Sequence, residues 1–176
     1  MKYLNLMVKA VARLAFVLAV TLGFLYNASY AADEFSLLNE ERIGNLRIGL
    51  SEEEVKKTVR CELKREPDVL WGADGLYHQQ WEYVGCGITL DMVSEKKGAA
   101  KKIESITLVA PSTLSTKRNI RVGSAKREVI KAYKSHWNKE DSKHFGGGVA
   151  GSIYGGVMFT FEKDKVTRIF LGAAAE

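Results

Sequence analysis

Hydrophobic residues recur at a helical period in two stretches of the chain, and each stretch opens on a polar capping pattern. In the first, Ser51 and Glu54 form the S-x-x-E pattern of a capping box, which satisfies free backbone amides at a helix start. The acidic run at 52–54 suits the first helical turn better than a metal or acid/base site, because the helix dipole favours negative charge there. In the second stretch we expect Ser124 to be the N-cap. The apolar stripe behind it, which predicts a helix ending near Trp137, is Val129, Ile130, Tyr133 and Trp137.

After each helical stretch the period of the hydrophobic residues shortens to two, which is typical of strands with one buried face. In the first region the apolar positions are Trp81, Tyr83, Ile88, Leu90 and Met92. Their parity changes at residues 85–87, Gly-Cys-Gly, which predicts a tight turn or bulge. In the second region the apolar positions are Val157, Phe159 and Phe161. A turn over residues 162–165 should follow, so both regions predict antiparallel hairpins.

The two halves of the chain are also similar in sequence. Three pairs of segments match in the same order, and loops that are longer in the first copy explain their decreasing offset. The pairs are "NLRIGLSEEEVKKTV" from Asn45 with "NIRVGSAKREVIKAY" from Asn119, "GITLDM" from Gly87 with "GVMFTF" from Gly156, and "KIESITLVAP" from Lys102 with "KVTRIFLGAA" from Lys165. We therefore expect an α+β fold of two tandem repeats, each a short helical element followed by a three- or four-stranded antiparallel meander. The boundaries we predict are 43–112 for the first repeat and 113–176 for the second.

The N-terminal residues have the pattern of an export signal. Lys2, Lys9 and Arg13 precede the apolar run at 14–26, which is shorter than the ~20 residues needed to span a membrane. Small residues then suit signal-peptidase cleavage after Ala31, with Ala32 as the second choice and an uncleaved anchor as the alternative. We expect a signal peptide over 1–31 and an N-terminal extension over 32–42. The protein is then periplasmic in a Gram-negative bacterium, or secreted from it.

Removal of the signal segment changes the charge of the protein. The segment holds three cationic residues and no acid, so the net charge falls from +5 to +2. A nucleic-acid partner loses its main support with that change. The two cysteines, Cys61 and Cys86, remain in the exported part, where an even count predicts a disulfide rather than a reactive thiol pair. Neither cysteine follows the cleavage site directly, so no lipid anchor is expected.

The glycines at 146, 148 and 151 have G-x-G-x-x-G spacing, yet they do not predict a nucleotide site. A dinucleotide loop follows a strand and opens a helix, whereas here a helical stretch precedes the glycines and a strand follows them. We expect instead a mobile loop at 146–148, and a turn or bulge at Gly155-Gly156 that matches residues 85–87. A glycine-lined strand that lets another backbone or a flat ligand approach is a further possibility. No cofactor is expected.

The segments "LRIGLSEEEVKKTV" and "IRVGSAKREVIKAY" resemble the start of the repeat in the β-lactamase inhibitory protein family. The same start occurs in the small outer-membrane assembly lipoproteins of the SmpA/OmlA type. The tandem arrangement is more similar to the inhibitor family, over about residues 43–175. That resemblance implies one long curved sheet with the helices on one face, and a concave surface that clamps a protein partner. The chain departs from the family in having one cysteine pair rather than one per repeat. No inhibitory loop matches residue by residue, so no target carries over.

We therefore predict a non-enzymatic binding protein whose partner is a protein of the cell envelope, in an inhibitor, immunity-type or assembly role. Aromatic residues supply the candidate contacts. They are Trp71, Tyr77, Trp81, Tyr83, Phe145 and Tyr154, with Trp81 and Tyr83 as candidates for the core as well. Binding of a small molecule or lipid on the sheet is the alternative. A hydrolase is less expected, because "AGSIY" around Ser152 is not a nucleophile elbow. The histidines His78, His136 and His144 lack zinc-ligand spacing, so no metal site is predicted.

Overall fold

Two capped helices and a long antiparallel sheet form where the hydrophobic pattern changes period. The structure is a computed structural model that describes residues 36–174. The expected signal peptide and residues 32–35 of the expected extension lie outside the described residues. Those that are described belong to one compact unit. None of their helices is long and apolar enough to cross a membrane.

Four helices and nine strands are present within residues 36–174. The helices are α1 (Ser36–Glu40), α2 (Glu52–Thr58), α3 (Lys126–Ala132) and α4 (Lys139–Phe145). The strands are β1 (Glu62–Arg65), β2 (Val69–Leu70), β3 (Tyr77–Val84), β4 (Ile88–Ser94), β5 (Lys102–Val109), β6 (Trp137–Asn138), β7 (Gly148–Ser152), β8 (Gly155–Glu162) and β9 (Lys165–Gly172). The α+β class and the antiparallel sheet predicted from the sequence are confirmed.

All nine described strands belong to one antiparallel sheet. Its order is β1-β3-β4-β5-β9-β8-β7-β6, and β2 pairs with the beginning of β3. The first and second halves of the chain meet at the β5–β9 pair, where Ile106 lies opposite Leu171 and Leu108 opposite Ile169. The edge strands of the sheet are β1, with the charged sequence "ELKR", and β6, which has two residues.

One face of the sheet forms the hydrophobic core with helices α1, α2 and α3. A row of successive cross-strand partners runs along this face: Trp81, Leu90, Ile106, Leu171, Val157 and Ala150. Every member of the row is fully buried, and Val55 of α2 with Val129 of α3 belongs to the same cluster. Because side chains alternate along a strand, the residues between these positions lie on the opposite face. Helices α2 and α3 pack on the core face and leave this second face uncovered by them.

The two central helices begin differently. The capping box predicted at Ser51 is confirmed, since its hydroxyl accepts from the Glu54 amide and the Glu54 carboxylate accepts from the Ser51 amide. The prediction of Ser124 as the second cap was wrong. Ala125 is the N-cap of α3, and the Glu128 carboxylate accepts from its amide at 2.7 Å. The Ser124 hydroxyl instead accepts from the amide of Arg121 in the preceding turn.

The predicted helix ending near Trp137 was also wrong. Helix α3 ends at Ala132, and the turn behind it allows Trp137 to pair with Ala150 as part of β6. Ile130, a member of the predicted apolar stripe, is 39% exposed. A further helix, α4, follows β6 and was not predicted, because its sequence "KEDSKHF" carries a single apolar residue and no apolar stripe.

Glycines allow a tight turn and a close contact between two strands. The predicted turn at 85–87 is confirmed as the β3–β4 connection, with positive φ at Gly85 and Gly87. The loop expected at 146–148 is shorter than predicted, because a helix end and a strand start fall within it. Gly146 is the left-handed C-cap of α4 and Gly148 begins β7. A Cβ on Gly148 would lie 2.5 Å from Cη2 of Trp137, so glycine allows the close packing of β6 and β7.

Two links, one covalent and one polar, attach peripheral segments of the chain to the rest of the fold. The predicted disulfide joins Cys61, ahead of β1, to Cys86 in the β3–β4 turn. On the chain-entropy argument such a loop stabilises the fold by about 3 kcal/mol. At the other link, the buried carboxylate of Glu41, just after α1, accepts hydrogen bonds from Arg118 at 2.7 Å and from the Tyr133 hydroxyl at 2.9 Å. Helix α1 is thereby tied to the second half of the chain.

Candidate functional site

The face of the sheet turned away from α2 and α3 carries a half-open trough with a volume of about 1100 Å³. Its floor comprises residues of β3, β4, β5, β9 and β8, so the trough runs across the sheet rather than along one strand. Trp71, in the loop after β2, lies at one rim, and Phe145, the last residue of α4, lies at the other. This volume is close to the upper end of the ~300–1,000 Å³ found for most small-molecule pockets.

The floor of the trough is a row of cross-strand partners whose chemistry changes across the sheet. Thr89 lies opposite Thr107, Thr107 opposite Phe170, and Phe170 opposite Met158. All four residues line the trough. They alternate along their strands with residues whose side chains point into the core. Along this row the floor passes from hydroxyl groups to an aromatic ring and a thioether.

His78 on β3 is held between two carboxylates from different elements. Its Nε2 lies 2.8 Å from Oδ2 of Asp74 in the β2–β3 loop, and its Nδ1 lies 2.6 Å from Oδ2 of Asp91 on β4. The Trp71 ring stacks on the imidazole, with centroids 3.7 Å apart and planes 8° apart. An imidazole donates from both nitrogens only when it is protonated, so this geometry fits the charged form.

The carboxylates determine the charge of this cluster. Burial by itself lowers the pKa of His78, but the hydrogen bonds to Asp74 and then Asp91 outweigh it, and the pKa is raised. In return, the pKa of Asp74 is lowered, first by the hydrogen bond from the Leu76 amide and then by His78. Asp74 thus stabilises the turn by accepting from the Leu76 amide and also holds the imidazole of His78.

The two ends of the trough differ in charge. Glu104 on β5 is exposed near Asp91 and has no hydrogen bond or ion pair within residues 36–174. Its pKa is raised, first by desolvation and further by Asp91, against the opposite effect of Lys102. On β9, the Arg168 guanidinium carbon lies 5.7 Å from the centre of the Phe170 ring. The His78 end is therefore acidic, and the other end is basic and aromatic.

The structure separates the predicted contact residues into two groups. Trp81 and Tyr83 are 0% and 2% exposed and lie in the core beneath the helices, so their assignment as contacts is corrected. Tyr77 is half-buried at the beginning of β3, and it does not line the trough.

Three predicted aromatic residues do reach the surface. Trp71 and Phe145 are 37% and 38% exposed and line the trough. Tyr154, at 57%, lies in the β7–β8 turn. The carbonyl of the neighbouring Ile153 accepts a hydrogen bond from the amide of Ala174, which also lines the trough.

Sequence reasoning missed most of the polar residues in the trough. Asp91, Thr107 and Arg168 stand at outward positions between apolar ones, and this alternation was the available signal. It does not reveal that the loop residue Asp74 reaches the same histidine as Asp91. That contact depends on the register of β3 with β4, where Gln80 lies opposite Asp91.

The histidines and Ser152 do not assemble as a hydrolytic site in the described part of the chain. Both nitrogens of His78 are engaged by carboxylates, and Ser152 is 3% exposed with its hydroxyl accepting from the Tyr154 amide. His136 contacts the hydroxyl of its neighbour Ser135. Among residues 36–174 no group of three His, Cys, Asp or Glu side chains is arranged to hold a metal ion.

Comparisons with known proteins identified no similar protein. No protein-family model, no curated protein and no solved structure matches the chain.

Proposed function

We propose that the protein is an exported, non-catalytic binding protein that holds a segment of a partner protein of the cell envelope in its trough. The observation that carries this proposal is an open trough across five strands with an exposed aromatic side chain, Trp71 and Phe145, at its two rims. Aromatic anchors of this kind dominate the energetics of many protein interfaces. The extent of the trough across five strands favours a polypeptide, and binding of a small molecule or lipid is the second candidate.

We further propose that the sheet arose from two copies of one unit, as the resemblance to the β-lactamase inhibitory protein family implies. Equivalent backbone hydrogen bonds at the two helix starts support this proposal. The Gly49 amide donates to the Ile103 carbonyl at 2.8 Å, and the Gly123 amide donates to the Val166 carbonyl at 2.7 Å. In the sequence alignment of the two halves, Gly49 is aligned with Gly123, and Ile103 is aligned with Val166.

The strand registers give a second line of support for duplication. The β4–β5 register shifts between Asp91 and Met92, and the β8–β9 register shifts between Thr160 and Phe161. The sequence match of "GITLDM" with "GVMFTF" makes these positions equivalent. Two matching irregularities at matching positions are unexpected for unrelated hairpins, because bulges are local features of a particular sequence.

The proposed compartment is the periplasm. The disulfide between Cys61 and Cys86 is consistent with an oxidising compartment, where such bonds form and persist. An exported protein also fits the basic, apolar and small-residue sequence of the first 31 residues.

Site-specific crosslinking in cells tests the proposal directly. A photoreactive amino acid replaces Ser105 or Thr107 in the trough and, as matched controls, the exposed Lys57 of α2 or Lys131 of α3 on the helix face. We expect a defined envelope protein to crosslink from the trough positions alone. The crosslink should disappear when Trp71, Phe145 and Tyr154 are replaced together by alanine in a protein that still folds. Equal crosslinking from both faces, or none from the trough, would contradict the proposal.

A further inference from the structure

The trough has a chemical polarity that restricts what can lie in it. Three carboxylates, Asp74, Asp91 and Glu104, line its Trp71 end, and Glu66 adds a fourth at the margin. The cations near them are His78, which already binds two of the carboxylates, Lys102, which lies beside Glu104, and Lys64, which pairs with Glu66 at 3.8 Å. Negative charge therefore exceeds positive charge at this end, although the net charge of the whole chain is +5.

The polarity arises at corresponding positions of two strand pairs. On β4 and β5, Asp91 lies opposite Ser105, whereas on β8 and β9 Thr160 lies opposite Arg168. Next to them, the Thr89–Thr107 pair corresponds to Met158–Phe170. The core-facing positions of these strands are apolar in both halves, so the difference is confined to the face that carries the trough. A ligand that spans the trough meets two different ends and is held in one direction.

The dimensions of the trough suit an extended chain. Neighbouring strands lie about 4.8 Å apart, so the five strands of the floor span about 19 Å from first to last. An extended polypeptide advances about 3.3 Å per residue, so about six residues cross the floor. Glu104 is the carboxylate best placed to meet such a chain, since its side chain is exposed and has no bonding partner among the described residues.

We infer that the trough binds an extended polypeptide segment with a lysine or arginine at the Asp91–Glu104 end and an apolar side chain on Phe170 and Met158. This inference rests on the proposed function and specifies the chemistry of the partner. The basic side chain neutralises the excess negative charge and lies next to the exposed Trp71 ring, which also attracts cations. An acidic segment is repelled at the same end.

Binding of three labelled peptides to the purified exported protein tests this inference. The probes are fluorescein-labelled hexapeptides of sequence Leu-Thr-X-Thr-Leu-Ser in which X is Lys, Gln or Glu, followed by fluorescence anisotropy. One additional ion pair at an exposed carboxylate corresponds to about a threefold change in affinity. We expect the Lys peptide to bind about threefold more tightly than the Gln peptide, the Glu peptide to bind most weakly, and salt to reduce the preference.

Single charge-removing variants localise the effect. Glu104→Gln should abolish most of the preference for the Lys peptide, whereas Glu53→Gln, on the exposed surface of α2, should leave it unchanged. Circular dichroism confirms that both variants are folded. Equal affinities for the three peptides, a preference for the Glu peptide, or a preference that survives Glu104→Gln would overturn the inference. Such results leave the proposed function intact if the crosslinks from Ser105 and Thr107 persist, and loss of those crosslinks defeats the proposed function itself.

Discussion

At the scale of single residues, His78 joins three elements of the chain in one contact. The loop contributes Asp74 and Trp71, β3 contributes the imidazole, and β4 contributes Asp91. The other charged groups that face this cluster are Glu104 and, through it, Lys102. The protonated ring is therefore favoured in the folded protein over the unfolded chain.

This preference gives a pH dependence of stability with a definite sign. The pKa of His78 is raised on folding, so its contribution is complete below the unfolded value of about 6.5 and is lost as the pH rises through the folded pKa. Urea unfolding of the wild type should show this loss from about pH 6.5 upward, and His78→Gln should show a flatter profile over the same range. His136→Gln, outside the trough, should keep the wild-type profile. Parallel profiles for the wild type and His78→Gln would refute the assignment.

Glu41 is the second residue whose side chain bonds to partners from distant parts of the chain. Its carboxylate is buried and bonded to Arg118 and Tyr133, and burial followed by the Glu41 charge raises the pKa of the Tyr133 hydroxyl. Glu41→Ala leaves the Arg118 guanidinium without its carboxylate, and we expect the free energy of unfolding to fall by about 3 kcal/mol. Glu40→Ala, one residue away, should change it by less than about 0.5 kcal/mol. A loss below about 1 kcal/mol in Glu41→Ala would show that the pair contributes little.

At the scale of elements, the starts of α2 and α3 offer a matched comparison. Ser51 supplies a side-chain cap to α2, whereas Ala125 occupies the same position of α3 without one. Ser51→Ala should reduce the free energy of unfolding by about 1 kcal/mol, and Ala125→Ser should increase it by about 0.5–1 kcal/mol. Thermal and urea unfolding measure both changes. Destabilisation by Ala125→Ser would contradict the N-cap assignment at this residue.

The elements also show which features can be inferred from sequence. The capping box at Ser51, the turn at 85–87 and the disulfide were predictable because each depends on residue types at short spacing or on cysteine count. Helix α4 was not, since its polar sequence gives no hydrophobic period. The early end of α3 was missed because Trp137 keeps the helical spacing although it pairs with Ala150 in the sheet.

The candidate site was less accessible to sequence reasoning than the fold. Trp71 and Phe145 were identified as aromatic contacts, but their positions at opposite rims of one trough depend on the order of the strands. Likewise, Asp74, His78 and Asp91 meet only because a loop residue and two registered strands converge. Contacts of this kind are set by tertiary structure, which the alternation of apolar and polar residues does not encode.

At the scale of the whole molecule, stability depends on the β5–β9 pair that joins the two halves. Each half alone would expose this long, apolar-faced edge strand, with Ile106 and Leu108 on one side and Ile169 and Leu171 on the other. We expect separately produced fragments cut after Ser112 to lack a cooperative unfolding transition. Mixing them should restore the circular dichroism spectrum of the intact protein. A cooperative transition in either fragment alone would contradict this view of the sheet.

The ends of the sheet have a consequence for how the protein behaves at high concentration. Strand β6 offers only two residues, and β1 is short, charged and followed by Pro67. Neither can template a long run of hydrogen bonds with a neighbouring molecule, since short or charged margins disfavour lateral strand addition. Within residues 36–174, both edges of the sheet are therefore protected against edge-to-edge pairing with another sheet.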